Sequence, residues 1–279
     1  MDILEIIKVI FLGIVEGITE WLPVSSTGHM ILFDAFVKLH VSEEFKEMFF
    51  VVIQLGAILA VAITFFNLIN PFSSKKDIKE KKETWSLLFK IVVACIPAGI
   101  IGVLLDDYID SVFYNYIVVS IMLIVYGIAF IIVEKLNKKV VVENVKALTY
   151  KTALFIGLFQ TLALIPGTSR SGATIVGSLL LGVSRVVAAE FSFLLSLPIM
   201  LGASALKLVK YFLEAGFYLS SFEITCLVVG MIVAFLVSLF TIKFLMSYIK
   251  KHDFKVFGYY RIILGVIVIL CGIFGVITA

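Results

Sequence analysis

The chain has 279 residues, of which 61% are hydrophobic and 15% are charged, and its formal net charge is +3. Its mean hydropathy is +1.13. A soluble domain of this length would need far more polar surface, and a β-barrel would show short alternating segments instead of continuous apolar runs. The composition predicts an all-α polytopic membrane protein. It gives no support for binding nucleic acid, because the lysines cluster in short loops beside apolar runs.

Six apolar runs are long enough to cross a membrane as helices, which takes roughly 17 to 25 residues. All three cysteines lie inside apolar runs without a CxxC spacing, so we expect buried thiols and neither disulfides nor metal ligands. The six predicted spans are Met48–Ile69, Trp85–Leu105, Tyr116–Val133, Phe191–Val209, Phe222–Ile242 and Tyr260–Ile277.

Two further apolar regions are each divided into two short limbs by a polar tip rich in Gly, Pro and Ser. The first region has limbs at Ile3–Val15 and Met30–Val37, and the second has limbs at Ala153–Ile165 and Ala173–Val183. Broken backbone is tolerated at membrane depth only when it is buried in protein or lines a wet cavity. The pattern therefore predicts two re-entrant helical hairpins. The alternative is two ordinary spanning helices that each carry a polar patch.

The loop charges predict the topology. Lysines are concentrated in the loops 70–84, 134–152 and 243–259, whereas 106–115 has three Asp and no basic residue and 210–221 has only one Lys. The positive-inside rule places the three Lys-rich loops in the cytoplasm. Six spans fit these loops only if both hairpins return to the side from which they enter. The first hairpin then enters from outside and the second from the cytoplasm.

The two tips also belong to an apparent internal repeat. The segment from Gly13 to Gly28 aligns with the segment from Gly157 to Gly172, with one residue of slippage. Within a single domain of residues 1–279, the repeats are 1–140 and 150–279, and each contains one hairpin and three spans. Three spans are an odd number, so the second repeat must be inverted. Inverted repeats with broken helices are best known from transporters, which makes a transporter the main alternative to an enzyme.

The first tip carries two carboxylates in apolar surroundings, where ionisable groups indicate function. Glu16 and Glu20 are spaced i,i+4 and share one helix face. Such a pair can bind a divalent cation, act as a base or contact a polar head group.

The same tip carries hydroxyls and an imidazole after Pro23, a residue that favours a helix start. Ser26 and His29 are spaced i,i+3, so the imidazole reaches the hydroxyl if this segment is helical, which is the minimal arrangement of an activated nucleophile. The hydroxyls and backbone N–H groups of Ser25, Ser26 and Thr27 could also cap this helix, and a helix N-terminus is a ready site for an anion.

The second tip is basic. Arg170 is one of only three arginines in the chain, and apolar runs enclose it on both sides. A fixed guanidinium among small residues with hydroxyls and free N–H groups suits a phosphate, which it can hold bidentately. An acidic tip that faces a basic tip indicates metal-assisted hydrolysis, or binding, of a phosphorylated lipid. The small neighbours of Arg170 are Gly167, Thr168, Ser169, Ser171 and Gly172.

At these residues the chain resembles the undecaprenyl-diphosphate phosphatase family, also called bacitracin-resistance proteins, of bacterial plasma membranes. The matching motifs are EGITEWLPVSSTGH at 16–29 and PGTSRSG at 166–172, and the resemblance covers the whole chain. It implies an integral membrane enzyme that removes the terminal phosphate of undecaprenyl diphosphate and so recycles the lipid carrier for peptidoglycan. It also implies inverted repeats with re-entrant helices, and an active site open to the outer face.

The resemblance also implies roles for residues. Ser26 would be the nucleophile with His29 as its acid/base partner, and Arg170 with Ser169 would hold the diphosphate. Glu16 and Glu20 would bind a divalent cation, Mg²⁺ or Ca²⁺, or Glu20 would assist as the base. No organic cofactor is expected, and a homodimer is among the oligomeric states left open. The expected further substrate-binding residues are Ser25, Thr27, Gly167, Thr168 and Ser171.

Two mechanisms fit these residues. Ser26 could attack the distal phosphorus, or a metal-bound water could attack with His29 as the acid. Membrane lipid phosphatases that use two histidines are a second alternative, since STGH resembles their motif. However, the next histidine after Arg170 is His252, so their second imidazole is missing. A purely structural role is a third alternative.

Overall fold

The computed structural model describes residues 3–216 and 218–277, without the side chains of Asp106, Asp107, Asp110 and Ala215. The three aspartates of the predicted outer loop 106–115 therefore lie outside the described side chains. The described residues form α-helices and short 3₁₀ turns with no strand, apart from one isolated bridge between Val142 and Val183. This confirms the predicted all-α class.

The described residues contain twelve α-helices in chain order. They are α1 Ile3–Thr19, α2 Ser26–Phe36, α3 Glu43–Val52, α4 Gln54–Thr64, α5 Phe66–Ile69, α6 Ile78–Phe113, α7 Tyr116–Leu136, α8 Tyr150–Thr161, α9 Arg170–Leu180, α10 Arg185–Ala215, α11 Ser221–Tyr248 and α12 Lys255–Ile273.

Six stretches of the described helices are long and apolar enough to cross a membrane, which confirms the predicted number of spans. Each predicted span overlaps one of them. The stretches are Glu43–Thr64, Ile78–Leu105, Tyr116–Leu136, Arg185–Glu214, Ser221–Tyr248 and Lys255–Ile273.

The bounds differ from the predicted ones, because hydropathy detects the apolar centre of a helix and not its capped ends. Helix α6 extends at both ends into segments that the sequence predicts as loops. Helix α10 begins at Arg185, where the hydroxyl of Ser184 accepts a hydrogen bond from the Val187 N–H. The predicted span 48–69 overlaps the stretch Glu43–Thr64, within which Ile53 separates α3 from α4, and Phe65 separates α4 from the short α5.

Two pairs of shorter helices contain the polar tips. Helices α1 and α2 have 17 and 11 residues, and α8 and α9 have 12 and 11 residues. At 1.5 Å per residue, an 11-residue helix is about 17 Å long, roughly half the thickness of the hydrocarbon core. Both pairs therefore place an irregular segment between two helices that are short for a membrane span.

The packing of the helices buries most residues of both tips. Helix α1 packs against α11, α8 packs against α6, and α7 runs along α12. Gly127 and Gly258 allow the last of these approaches, because a Cβ at either glycine would lie 2.7 Å from the carbonyl oxygen of the other. Large apolar side chains such as Leu104, Phe240 and Phe274 remain exposed on the outside, as lipid-facing residues do.

Candidate active site

The first tip ends in a helix cap with an unusual backbone conformation. Ser25 has φ 75° and ψ 101°, in a region that L residues rarely adopt, and its hydroxyl accepts a hydrogen bond from the Gly28 N–H at 3.3 Å. Helix α2 therefore begins at Ser26. Its first turn presents free backbone N–H groups, as a helix N-terminus does.

The second tip repeats this cap. Ser169 has φ 70° and ψ 126°, and its hydroxyl accepts a hydrogen bond from the Gly172 N–H at 3.2 Å. Gly167 has φ 88°, and a Cβ there would lie 2.5 Å from the carbonyl oxygen of Val119, so only glycine fits this position. Arg170 is consequently the first residue of α9.

An ion pair joins the two tips. Arg170 Nη2 lies 2.9 Å from Glu20 Oε1, although the two residues are 150 positions apart. Their side chains are about 10% and 9% exposed. The other oxygen of the same carboxylate, Glu20 Oε2, accepts a hydrogen bond from the Ser26 hydroxyl at 2.8 Å. The structure thus links the predicted nucleophile, a carboxylate predicted as metal ligand or base, and the guanidinium in one hydrogen-bonded chain, Ser26–Glu20–Arg170.

Neighbouring helices fix the rest of the Arg170 guanidinium. Nη1 donates to the carbonyl oxygen of Ser192 at 2.6 Å, and the guanidinium lies 5.8 Å from the ring centre of Trp21. Arg170 Nε is buried and has no hydrogen-bond partner among the described residues. The guanidinium therefore retains an unused donor. A buried donor without a partner is costly, so such a group indicates an absent ligand or water.

The imidazole of His29 is not bonded to Ser26, in contrast to what the i,i+3 spacing suggests. Nδ1 lies 2.7 Å from the carbonyl oxygen of Ser25, and Nε2 lies 2.7 Å from the hydroxyl of Tyr260. A carbonyl oxygen only accepts, so Nδ1 carries the proton and Nε2 accepts from Tyr260. The ring of Tyr260 also stacks on the imidazole at 5.6 Å.

Glu16 has a free oxygen that faces the same region. The residue is 1% exposed, and its Oε1 atom has no hydrogen-bond partner among the described residues. It lies one helical turn before Glu20. The described residues contain no cluster of three or more His, Cys, Asp or Glu side chains that could hold a metal ion. A cation here would need ligands from water or substrate as well as from these two carboxylates.

The other predicted binding residues surround Arg170 or lie at the start of α2. Ser169 and Ser171 place their hydroxyl oxygens 3.1 Å apart, and the Ser171 hydroxyl reaches the Glu20 carbonyl oxygen at 3.5 Å. Thr168 is fully buried, and its hydroxyl has no partner in the described structure. Thr27 is half-buried in the first turn of α2.

An apolar cavity of about 290 Å³ adjoins His29. Most of its lining comes from the end of α1, the first tip and the beginning of α12. The lining residues are Ile18, Thr19, Leu22, Val24, His29, Val256, Phe257 and Tyr260.

Several residues at the site were not found from the sequence. Trp21 and Ser192 contact Arg170, Tyr260 contacts His29, and Arg261 donates hydrogen bonds into both tips. Gln160 is buried on α8, at the position that aligns with Glu16, and neither of its side-chain polar atoms has a partner among the described residues. The one available signal was Arg261, the third arginine of the chain, at the start of an apolar run.

Comparison with known proteins gives consistent matches over nearly the whole chain. Residues 9–267 match the family described as bacitracin resistance protein BacA. A protein of Enterococcus faecalis named undecaprenyl-diphosphatase is 61% identical over 274 residues, which cover 97% of this chain and 98% of that protein. A protein of the same name from Desulfitobacterium hafniense is 60% identical over 97% of both chains. Undecaprenyl-diphosphatase 1 of Clostridioides difficile is 61% identical over 96% of both chains.

Proposed function

Because the chain belongs to the bacitracin resistance protein BacA family, we propose that it is an undecaprenyl-diphosphatase. It hydrolyses undecaprenyl diphosphate to undecaprenyl phosphate and inorganic phosphate, which recycles the lipid carrier for peptidoglycan and other wall polymers and confers bacitracin resistance. Relatives of this name share about 60% of their residues with it over almost the full chain. The observation that carries the proposal is the hydrogen-bonded chain Ser26–Glu20–Arg170, which joins both motifs.

The second tip binds the diphosphate in this proposal. Arg170 has a buried and unpartnered Nε, and the hydroxyls of Ser169 and Ser171 lie beside it. The N–H groups at the starts of α2 and α9 add donors for phosphate oxygens, together with Ser25, Thr27, Gly167 and Thr168. The apolar cavity beside His29 suits the first isoprene units of the lipid, because its lining is almost entirely apolar.

In the favoured route, Ser26 is the nucleophile. Its hydroxyl oxygen attacks the distal phosphorus, its proton passes to Glu20 Oε2 at 2.8 Å, and the bond to the bridging oxygen breaks. Undecaprenyl phosphate leaves, and water then hydrolyses the phosphoserine. Arg170 stabilises the charge that develops on the phosphoryl oxygens. The alternative route has water as the nucleophile in place of Ser26, and the same residues surround it.

His29 supplies an acid or base at the edge of the site. Its Nε2 atom accepts from Tyr260, so a proton can reach the imidazole from the tyrosine side. In the described arrangement Glu20, and not His29, is the base that touches Ser26. We therefore assign proton transfer at the nucleophile to Glu20, and proton transfer at the leaving group or at water to His29.

The residues present fit a divalent cation, Mg²⁺ or Ca²⁺. Glu16 offers a buried carboxylate oxygen without a hydrogen-bond partner, and Glu20 lies one turn away. Hard cations of this kind prefer carboxylate oxygens and complete their coordination with water and phosphate. A bound cation supplies neutralisation of phosphate charge, while the protein's own groups orient the diphosphate and move the protons.

The two halves of the chain, 1–140 and 150–279, are in our proposal inverted repeats within one domain, and the α1–α2 and α8–α9 pairs are re-entrant hairpins. Three observations support this arrangement: the caps at Ser25 and Ser169 are alike, α1 packs on α11 as α8 packs on α6, and Gly127 and Gly258 pack reciprocally. The positive-inside rule places the Lys-rich loops in the cytoplasm, and the family resemblance implies a site open to the outer face of the bacterial plasma membrane. A homodimer stays a prediction.

Phosphate release by purified protein tests the proposed function. In detergent, the wild type should release inorganic phosphate from a prenyl diphosphate, and a chelator should stop the release. Arg170→Ala should reduce turnover about 10²- to 10³-fold, as expected for the loss of a group that stabilises developing charge. A wild type that binds the lipid without releasing phosphate would instead support a transporter, an alternative for which the comparisons give no support.

A further inference from the structure

Arg261 donates hydrogen bonds to both tips at once. It lies on α12, is fully buried, and reaches backbone carbonyl oxygens in three segments of the chain. In the first tip Nη1 donates to Pro23 at 3.3 Å, and in the second tip Nη2 donates to Gly167 at 2.8 Å and to Thr168 at 2.9 Å. On α7 its guanidinium reaches two further carbonyl oxygens, those of Met122 and Leu123, both at 3.4 Å.

The charge of Arg261 is held by carbonyl dipoles, and no carboxylate among the described residues forms an ion pair with it. The ring of Tyr126 lies 5.6 Å from its guanidinium carbon and adds a cation–π contact. A buried charge without a counter-ion is costly, so its retention calls for a specific benefit. The carbonyls of Pro23, Gly167 and Thr168 belong to irregular backbone, which at membrane depth needs partners from elsewhere in the protein.

We propose that Arg261 is a positioning residue that fixes the two tips relative to each other during the reaction. Pro23 lies three residues before Ser26, and Thr168 lies two residues before Arg170. The guanidinium of Arg261 therefore sets the separation of the nucleophile from the phosphate-binding arginine without touching the substrate. This inference rests on the proposed phosphatase function.

The need for this contact follows from the ion pair between the tips. Arg170 bonds to Glu20 in the described state, but it must also bind the negatively charged diphosphate. A bound phosphate competes with Glu20 for the same guanidinium, and this weakens the link between the tips when their alignment matters most. Among the described residues, the hydrogen bonds of Arg261 all go to backbone carbonyls, and its side chain is fully buried, so phosphate does not compete for them.

Arg261→Lys is the first test. A lysine keeps the positive charge, but its single ammonium lacks the planar fork that spans the carbonyls of Pro23 and Gly167. Because a misplacement of about 1 Å costs about 100-fold in rate, we expect kcat to fall roughly 10- to 100-fold. We expect KM to change less than about threefold, since the groups that bind the diphosphate remain. The matched control is Arg185→Lys, which alters an arginine of α10 that is paired with Glu134 in the last turn of α7, in neither tip, and should leave kcat unchanged.

Gly172→Ala is a second test that leaves Arg261 in place. A Cβ at this position would lie 3.2 Å from Arg261 Nη1 and 3.3 Å from the Cβ of Ser169, so the guanidinium or the serine must move by a few tenths of an ångström. We expect kcat to fall roughly three- to tenfold at unchanged KM. The control is Gly202→Ala, because a Cβ there meets nothing within 4 Å. If Gly172→Ala acts through Arg261, the double variant with Arg261→Lys should be little slower than Arg261→Lys alone.

The assays measure phosphate release from a prenyl diphosphate in detergent, together with the melting temperature of each variant. A fall in kcat at constant KM in both variants, with non-additive effects in the double variant, supports the positioning role. Wild-type kcat in Arg261→Lys, or additive effects, would overturn it. If Arg261→Lys does not fold, a fall in kcat at unchanged KM in Gly172→Ala supports the role of Arg261, whereas a raised KM shows an effect through Ser169 and overturns it. A wild type that releases no phosphate would refute the phosphatase proposal instead.

Discussion

The first and second tips share one backbone but differ in chemistry. Each begins a helix with a serine cap at positive φ, and each cap bonds to the glycine three residues later. The residue after the cap is Ser26 in the first tip and Arg170 in the second. At the position before the tip, the first half has Glu16 and the second half has Gln160.

This difference shows how a repeated structure can form an asymmetric site. The two helix N-termini have the same geometry, which is one that suits anions, while the first helical position holds a hydroxyl on one side and a guanidinium on the other, the nucleophile and the phosphate ligand of our proposal. Glu20 then contacts both, through Ser26 and through Arg170. In our proposal, each tip alone lacks a group that the reaction requires.

The largest effect on turnover is expected at Ser26, the first helical residue after the first tip's cap. Ser26→Ala should lower kcat by about 10⁴-fold, because nucleophile loss removes most of the catalytic advantage, while lipid binding persists. The measurement is phosphate release, with acid quenching to trap a phosphoserine in the wild type. The control is Ser111→Ala, an exposed serine outside the site. Full activity in Ser26→Ala would exclude the serine route and leave water as the nucleophile.

An intermediate effect, on the cation requirement, is expected at Glu16, a position where the two halves differ in charge. Glu16→Gln makes the first tip resemble the second, which has Gln160 at the aligned position. If Glu16 is a ligand as we propose, the substitution should raise the Mg²⁺ or Ca²⁺ concentration for half-maximal activity at least about tenfold, because even indirect partners of metal sites are worth about 10- to 100-fold. The measurement is a cation titration of phosphate release after chelation.

The control for Glu16→Gln is Glu223→Gln, because Glu223 only caps the start of α11. An unchanged cation requirement in Glu16→Gln would contradict the proposed role of this carboxylate as a ligand.

The smallest effect, a change in the free energy of unfolding, is expected at the serine caps that the two tips share. Alanine at Ser25 or Ser169 loses the cap and keeps the strained φ, so it should lower the free energy of unfolding by about 1–2 kcal/mol. Glycine loses the cap but adopts positive φ freely, so it should stay within about 0.5 kcal/mol of the wild type. Melting temperatures in detergent measure both pairs of variants. A penalty for alanine at only one tip would show that the caps are not energetically equivalent.

Much of the fold follows from the sequence, because continuous apolar runs indicate which segments cross the membrane. The six spans are clear from continuous apolar runs, whereas their ends depend on single capping side chains such as those of Ser184 and Ser220. The interruption of α3–α5 at Ile53 and Phe65 has no such signal, since no Pro or Gly marks either position.

The pairing of the two tips was likewise predictable, because an acidic and a basic segment in apolar surroundings require each other. The hydrogen-bond partner of Ser26, which is Glu20, was not predictable. The i,i+3 spacing favoured His29, but the helix begins at Ser26, and the imidazole bonds to the carbonyl of Ser25 and to Tyr260, which is 231 residues later. No local pattern encodes a contact over that distance.

The hydrogen bonds of Arg261 also have a consequence for the order of assembly. The first tip is synthesised with Glu16 and Glu20 in apolar surroundings, yet Arg170 arrives 150 residues after Glu20 and Arg261 is close to the C-terminal end. Contacts between distant segments form late in folding. The carbonyl groups of Pro23, Gly167 and Thr168 therefore lack the Arg261 donor until α12 has inserted. We expect a chain that ends before α12 to be degraded faster by membrane proteases than the full chain.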